Sequence, residues 1–236
     1  MKELINFWKN TYYIECLLTI ILIFSLILSL RNMKRHKNLK YIPLYIGTLL
    51  LVFASANAYI LLLNNKYYAP FFLGLTNYID YTFTYIELII FSNFFYRLTL
   101  LPNVKKLIII LTIAFTFFFI FMLITDNYFW ASVSSRTQTR VYTVEAIILL
   151  LFCLLYFIEL FKKFPSENLK KESSFWVSTG LLFFLTCTLP FSFLENYVRR
   201  NLTSSWFAFY SIFYIFYILL FLMIIRAYLC KPEKTI

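Results

Sequence analysis

Asp80 and Glu87 stand inside a long apolar stretch, and an ionisable group surrounded by hydrocarbon is costly unless it serves a purpose. On a helix advancing 100° per residue, Asn77, Asp80, Thr84 and Glu87 fall within an arc of about 80° and form one polar stripe. Asp80 and Glu87 are seven residues apart, so their Cα atoms are separated by about 10.5 Å, too far for the two carboxyls to share one proton. No Lys or Arg lies in the middle of an apolar stretch to pair with them. Two readings follow from these residue types. One is a proton-linked or cation-binding site. The other is a hydrogen-bonded seam between helices, with Ser55, Asn57 or tyrosine hydroxyls as partners.

Glu145 is a further candidate, one turn inside the start of a later apolar stretch, where it is expected to face water or to meet Arg140 or Arg200. Glu15 is similarly placed in the first stretch, and an outer vestibule of Glu15, Asp80 and Glu145 is conceivable. Tyr210, Tyr214 and Tyr217 lie within about 60° of one another on the last stretch, as a packing seam or an aromatic cage would. Other chemistries lack their residues. His36 is the single histidine, which argues against a histidine-ligated metal centre or a Ser–His hydrolase, and no G-x-S-x-G is present. The last stretch has no lysine for a retinal Schiff base, and the three glycines form no phosphate loop. Cys16, Cys153, Cys187 and Cys230 are far apart and read as small apolar fillers. No catalytic residue, metal or cofactor is expected.

The elements that must position these residues follow from composition. Of 236 residues, 61% are hydrophobic and 14% charged, against about 25% charged in soluble domains. A bilayer span takes about 20 residues, so seven account for the apolar content and leave no room for a large extramembrane domain. Apolar runs occur at about 12–30, 41–63, 71–96, 107–124, 141–161, 175–194 and 206–229, separated by short polar connectors. Within lipid every backbone polar group must be satisfied inside its segment, so these runs are helices. The expected fold is all-α, a polytopic integral membrane protein forming a single bundle of seven transmembrane helices. The third run is the most polar, and its crossing could begin nearer Tyr81. The first run is too long for the apolar core of a cleaved signal peptide and is retained as a span.

The net charge of +11 sets orientation and does not point to nucleic acid. Fifteen of the 22 Lys and Arg residues fall on one side, including Arg31, Lys34, Arg35, Lys37 and Lys40. That side is expected to be cytoplasmic, with the N-terminus outside and the C-terminus inside. Trp8, Tyr12, Tyr13, Tyr67, Tyr68, Tyr128, Trp130, Tyr142, Tyr197 and Trp206 cluster where the outer interface should lie. Only Pro190 falls inside a span.

Three stretches carry a resemblance. They are Tyr85-Ile86-Glu87 with Phe94-Phe95-Tyr96-Arg97, then Phe175-Trp176-Val177-Ser178-Thr179-Gly180-Leu181-Leu182-Phe183, then Tyr214-Ile215-Phe216-Tyr217. Together they resemble uncharacterised bacterial seven-helix inner-membrane proteins, similar to the membrane part ahead of some sensor histidine kinases. The resemblance implies a cytoplasmic-membrane location and a sensory or scaffolding module acting through a partner protein. It implies no catalytic or ligand residue. A small proton-linked permease using the Asp80/Glu87 stripe is the alternative, and the lipid bilayer is the partner common to both.

Overall fold

The computed structural model describes residues 2–62, 69–125, 135–163, 171–201 and 206–230. Among them the chain is all-helical, with no strand and seven α-helices. These are α1 (Lys2–Asn32), α2 (Ile42–Leu62), α3 (Ala69–Leu98), α4 (Pro102–Thr125), α5 (Ser135–Lys163), α6 (Ser173–Asn201) and α7 (Trp206–Leu229). A short 3-10 turn, Lys37–Leu39, separates α1 from α2. Each helix coincides with one of the apolar runs: α2 and α7 match theirs to within a residue at each end, and α1, α3, α4, α5 and α6 extend past theirs, because helical hydrogen bonding continues past the hydrocarbon boundary. α6 runs on through Pro190. Of the proposed outer aromatic belt, the side chains of Tyr13 and Tyr142 are described; those of Trp8, Tyr12, Tyr67, Tyr68, Tyr128, Trp130, Tyr197 and Trp206 lie outside the described residues.

Six helices contain segments long and apolar enough to cross a membrane: Tyr13–Asn32, Lys37–Asn57, Pro102–Thr125, Thr139–Lys162, Ser173–Leu194 and Ser211–Leu229. Over its described residues α3 falls short of that standard. Asp80, Thr82, Thr84, Glu87, Ser92, Asn93 and Arg97 dilute its apolar content. The exteriors of the apolar helices suit lipid. On α4, Ile110, Ile113, Phe117, Phe121 and Ile124 recur three or four residues apart and are all exposed. On α1 the usual polarity of a helix is turned around. Ser25 and Ser29 are buried and hydrogen-bond to their own helix, while Ile20, Phe24, Ile27 and Leu30 face outward. A surface of that kind would be unstable in water and is favoured in hydrocarbon. The chain is a multi-pass membrane protein by this measure.

The chain forms two compact units, residues 44–156 and residues 1–43 with 157–236. In the first unit α3 is the common neighbour. α2 reaches it through Tyr45, whose ring lies 5.8 Å from Phe83 and 5.0 Å from Phe91. α4 reaches it through Phe119, stacked on Tyr81 at 4.6 Å and on Tyr85 at 4.8 Å. A hydrogen bond from Thr112 to Ser92, 2.9 Å long, adds a second tie between α3 and α4. α5 reaches α3 through Phe152 and Tyr156, both against Phe95. Ring contacts from α2, α4 and α5 thus converge on α3, as expected when its polar side chains must avoid lipid.

In the second unit α7 packs against both α1 and α6. Gly180 lets α6 approach α7 closely, and Phe184 meets Tyr217 at 4.5 Å. That contact places Tyr217 in a packing seam. The side chain of Tyr210 lies outside the described residues.

Candidate functional site

The site is built on α3 and completed by α2 and α5. Successive turns of α3 carry Asp80, Thr84 and Glu87, and burial increases along that series. Asp80 is half-buried, and its backbone carbonyl accepts the Thr84 hydroxyl at 3.2 Å. Thr84 satisfies its own polar atom within α3 and brings no charge to the stripe. Glu87 is 3% exposed. The side chain of Asn77 lies outside the described residues.

Two groups from other helices meet Glu87. The first is Tyr45 on α2, fully buried, whose phenol is an electrostatic neighbour of the Glu87 carboxyl. The second is Glu145 on α5, 1% exposed, which feels the Glu87 carboxyl as a like charge. Glu145 therefore does not face water, and Glu87 is the charged group that acts on it; the side chain of Arg200 lies outside the described residues. Position along the chain suggested a wet helix end; the side chain is instead enclosed, as is Glu87, the other fully enclosed acid among the described residues. Oε1 of Glu87 and Oε1 of Glu145 each have no hydrogen-bond partner. Among the described residues no cation reaches either carboxyl, and no three His, Cys, Asp or Glu side chains come together as a metal site would need.

The other candidates resolve differently. Ser55 donates to the carbonyl of Val52 and Asn57 to that of Phe53, both along α2 itself. Glu15 belongs to the second unit, where the Tyr214 hydroxyl donates to its Oε1 at 2.6 Å. From the sequence Tyr45 reads, with Tyr41, Tyr96 and Trp176, as an aromatic of the inner membrane interface and not as a site residue. With 19 tyrosines in the chain, only the packing of α2 on α3 distinguishes it.

Chemically, two enclosed carboxyls with open acceptor positions and a phenol beside them can hold and pass a proton. Two like charges without a cation repel strongly in a dry site, so the pair is comfortable when a proton or a small cation stands with it. The pair contains neither a nucleophile with its base nor a set of oxyanion donors. No family model, curated protein or solved structure matches the chain.

Proposed function

We propose that the protein is a proton-linked multi-pass membrane protein, a small permease in which the Glu87–Glu145 pair takes up and releases the proton that drives the cycle. One observation carries this reading: among the described residues two almost fully buried carboxyls on different helices, Glu87 and Glu145, act on each other as like charges, and each has an oxygen without a hydrogen-bond partner. Buried acids of this kind are expensive, and in membranes they typically mark ion or proton pathways. In this reading α3 is a seventh span, shielded from lipid by α2, α4 and α5. The bilayer is the cytoplasmic membrane of a bacterium, with the N-terminus outside.

A second reading is a sensory or scaffolding module acting through a partner protein. The three aromatic motifs favour it, with their likeness to membrane parts ahead of sensor kinases. In that case protonation of the pair would switch the α3–α5 contact instead of accompanying a substrate.

Proteoliposomes separate the two. With a pH-sensitive dye inside and a pH gradient imposed, the wild-type protein should dissipate the gradient faster than empty vesicles. Glu87→Gln and Glu145→Gln should fall to the empty-vesicle rate. A wild-type rate equal to that of empty vesicles removes the permease. Infrared difference spectra across a pH jump should still show a protonated-carboxyl band that both variants lose. If that band is unchanged by both substitutions, the pair has no part in proton chemistry.

A further inference from the structure

The corner between α1 and α2 is strongly basic and is also one of the firmly built parts of the second unit. Asn32 ends α1, and its carbonyl accepts from Arg35 N at 2.9 Å and His36 N at 3.2 Å. The 3-10 turn follows, closed by Leu39 N to His36 O at 3.0 Å. Side chains divide sharply by chemistry. His36, Leu39 and Ile42 are buried at 4%, 0% and 1% exposure, whereas Arg31, Lys34, Arg35, Lys37 and Lys40 are all exposed.

Tyr228 of α7 fixes this division. Its hydroxyl donates to Leu39 O at 3.0 Å, and its ring meets the His36 imidazole edge-on at 5.6 Å. The turn is thus pinned by a residue 189 positions away, and its five cations project from a held backbone. No acidic residue occurs anywhere from Cys16 to Ile79, so nothing on α1 beyond Glu15, on the turn or on α2 neutralises them.

We propose that this corner, Arg31 to Lys40, is a docking site for the headgroups of anionic phospholipids. Charge alone would also attract an acidic protein. Position decides for lipid: the five cations fall at and between the adjoining ends of two segments apolar enough to cross a membrane, Tyr13–Asn32 and Lys37–Asn57, which places them at headgroup depth. Long Lys and Arg stems at such a boundary lie along the apolar surface and present their charge to phosphate. Lys40 illustrates the arrangement, its ammonium lying 5.6 Å from the centre of the Tyr41 ring. Tethering by Tyr228 means little ordering remains to be done when a headgroup binds.

Native mass spectrometry of the full chain in detergent tests this without any dependence on membrane orientation. Given equal phosphatidylglycerol and phosphatidylcholine, the wild type should retain phosphatidylglycerol preferentially. Replacing Lys34, Arg35, Lys37 and Lys40 together by Gln should reduce that preference about tenfold or more. A charge-keeping variant, Lys34→Arg with Lys37→Arg and Lys40→Arg, should preserve it and shows that the turn still folds. Lys105→Gln with Lys106→Gln should keep most of it. No preference in the wild type, an unchanged preference in the Gln variant, or an equal loss in the Lys105/Lys106 variant would each overturn the proposal.

Discussion

Tyr214 of α7 donates a 2.6 Å hydrogen bond to the carboxyl of Glu15 on α1, joining helices 199 residues apart in the chain. It is a short bond between a phenol and an acid in a part-buried place, on two helices that pack together. Tyr214→Phe keeps the ring and removes only the donor. We expect a loss of roughly 1–2 kcal/mol, between the usual value for interhelical bonds in membranes and that for bonds to charged groups. A lowered thermal midpoint in detergent checks this, and a midpoint equal to wild type would show the bond contributes nothing.

Gly180 and Gly47 should respond oppositely to alanine. A Cβ at Gly180 would stand 2.8 Å from Met223 Cβ and 3.2 Å from Leu220 Cδ1. Met223 Cβ is fixed to its own backbone and cannot swing aside, so α6 and α7 must separate. Gly180→Ala is expected to cost about 1–3 kcal/mol, the range for overpacking. A Cβ at Gly47 meets nothing within 4 Å, so Gly47→Ala should be neutral or stabilise α2 by up to about 1 kcal/mol. Paired melting curves decide both.

The Glu87–Glu145 contact gives a further pair of outcomes. Glu87→Gln keeps the shape, removes one of two repelling acids and should leave the fold as stable as wild type or more so. Glu87→Ala empties a fully enclosed space beside Tyr45 and should cost about 2–4 kcal/mol. If the Gln variant proves as unstable as the Ala variant, the carboxyl is making a structural bond and the pair is a packing seam.

Whether α3 crosses the membrane is open to direct labelling. In a background with the four native cysteines replaced, Lys66→Cys and Asn103→Cys bracket α3. A seventh span puts these positions on opposite faces, so an impermeant thiol reagent added outside intact cells should modify Lys66→Cys alone. Modification of both from outside would return the chain to six spans.

The seven helices, their approximate limits and the polar stripe of α3 were legible in the sequence. Runs of apolar residues long enough to span lipid allow no other backbone structure, and acids at helical spacing fall on one face whatever surrounds them. The neighbours of that face were not legible. Glu145 read as a residue facing water or an arginine and proved to be enclosed, with Glu87 acting on it as a like charge; His36, the single histidine, proved to be buried against the Tyr228 ring. Tyr45 and Tyr228 were two among many tyrosines until packing set one against a carboxyl and the other against a turn. The physical reason is shared. Lipid tails are as apolar as a helix interface, so the hydrophobic pattern along a membrane helix does not mark which side meets protein. Helix partners are chosen by shape and by a few polar contacts between distant segments, and those arise only when the chain is folded.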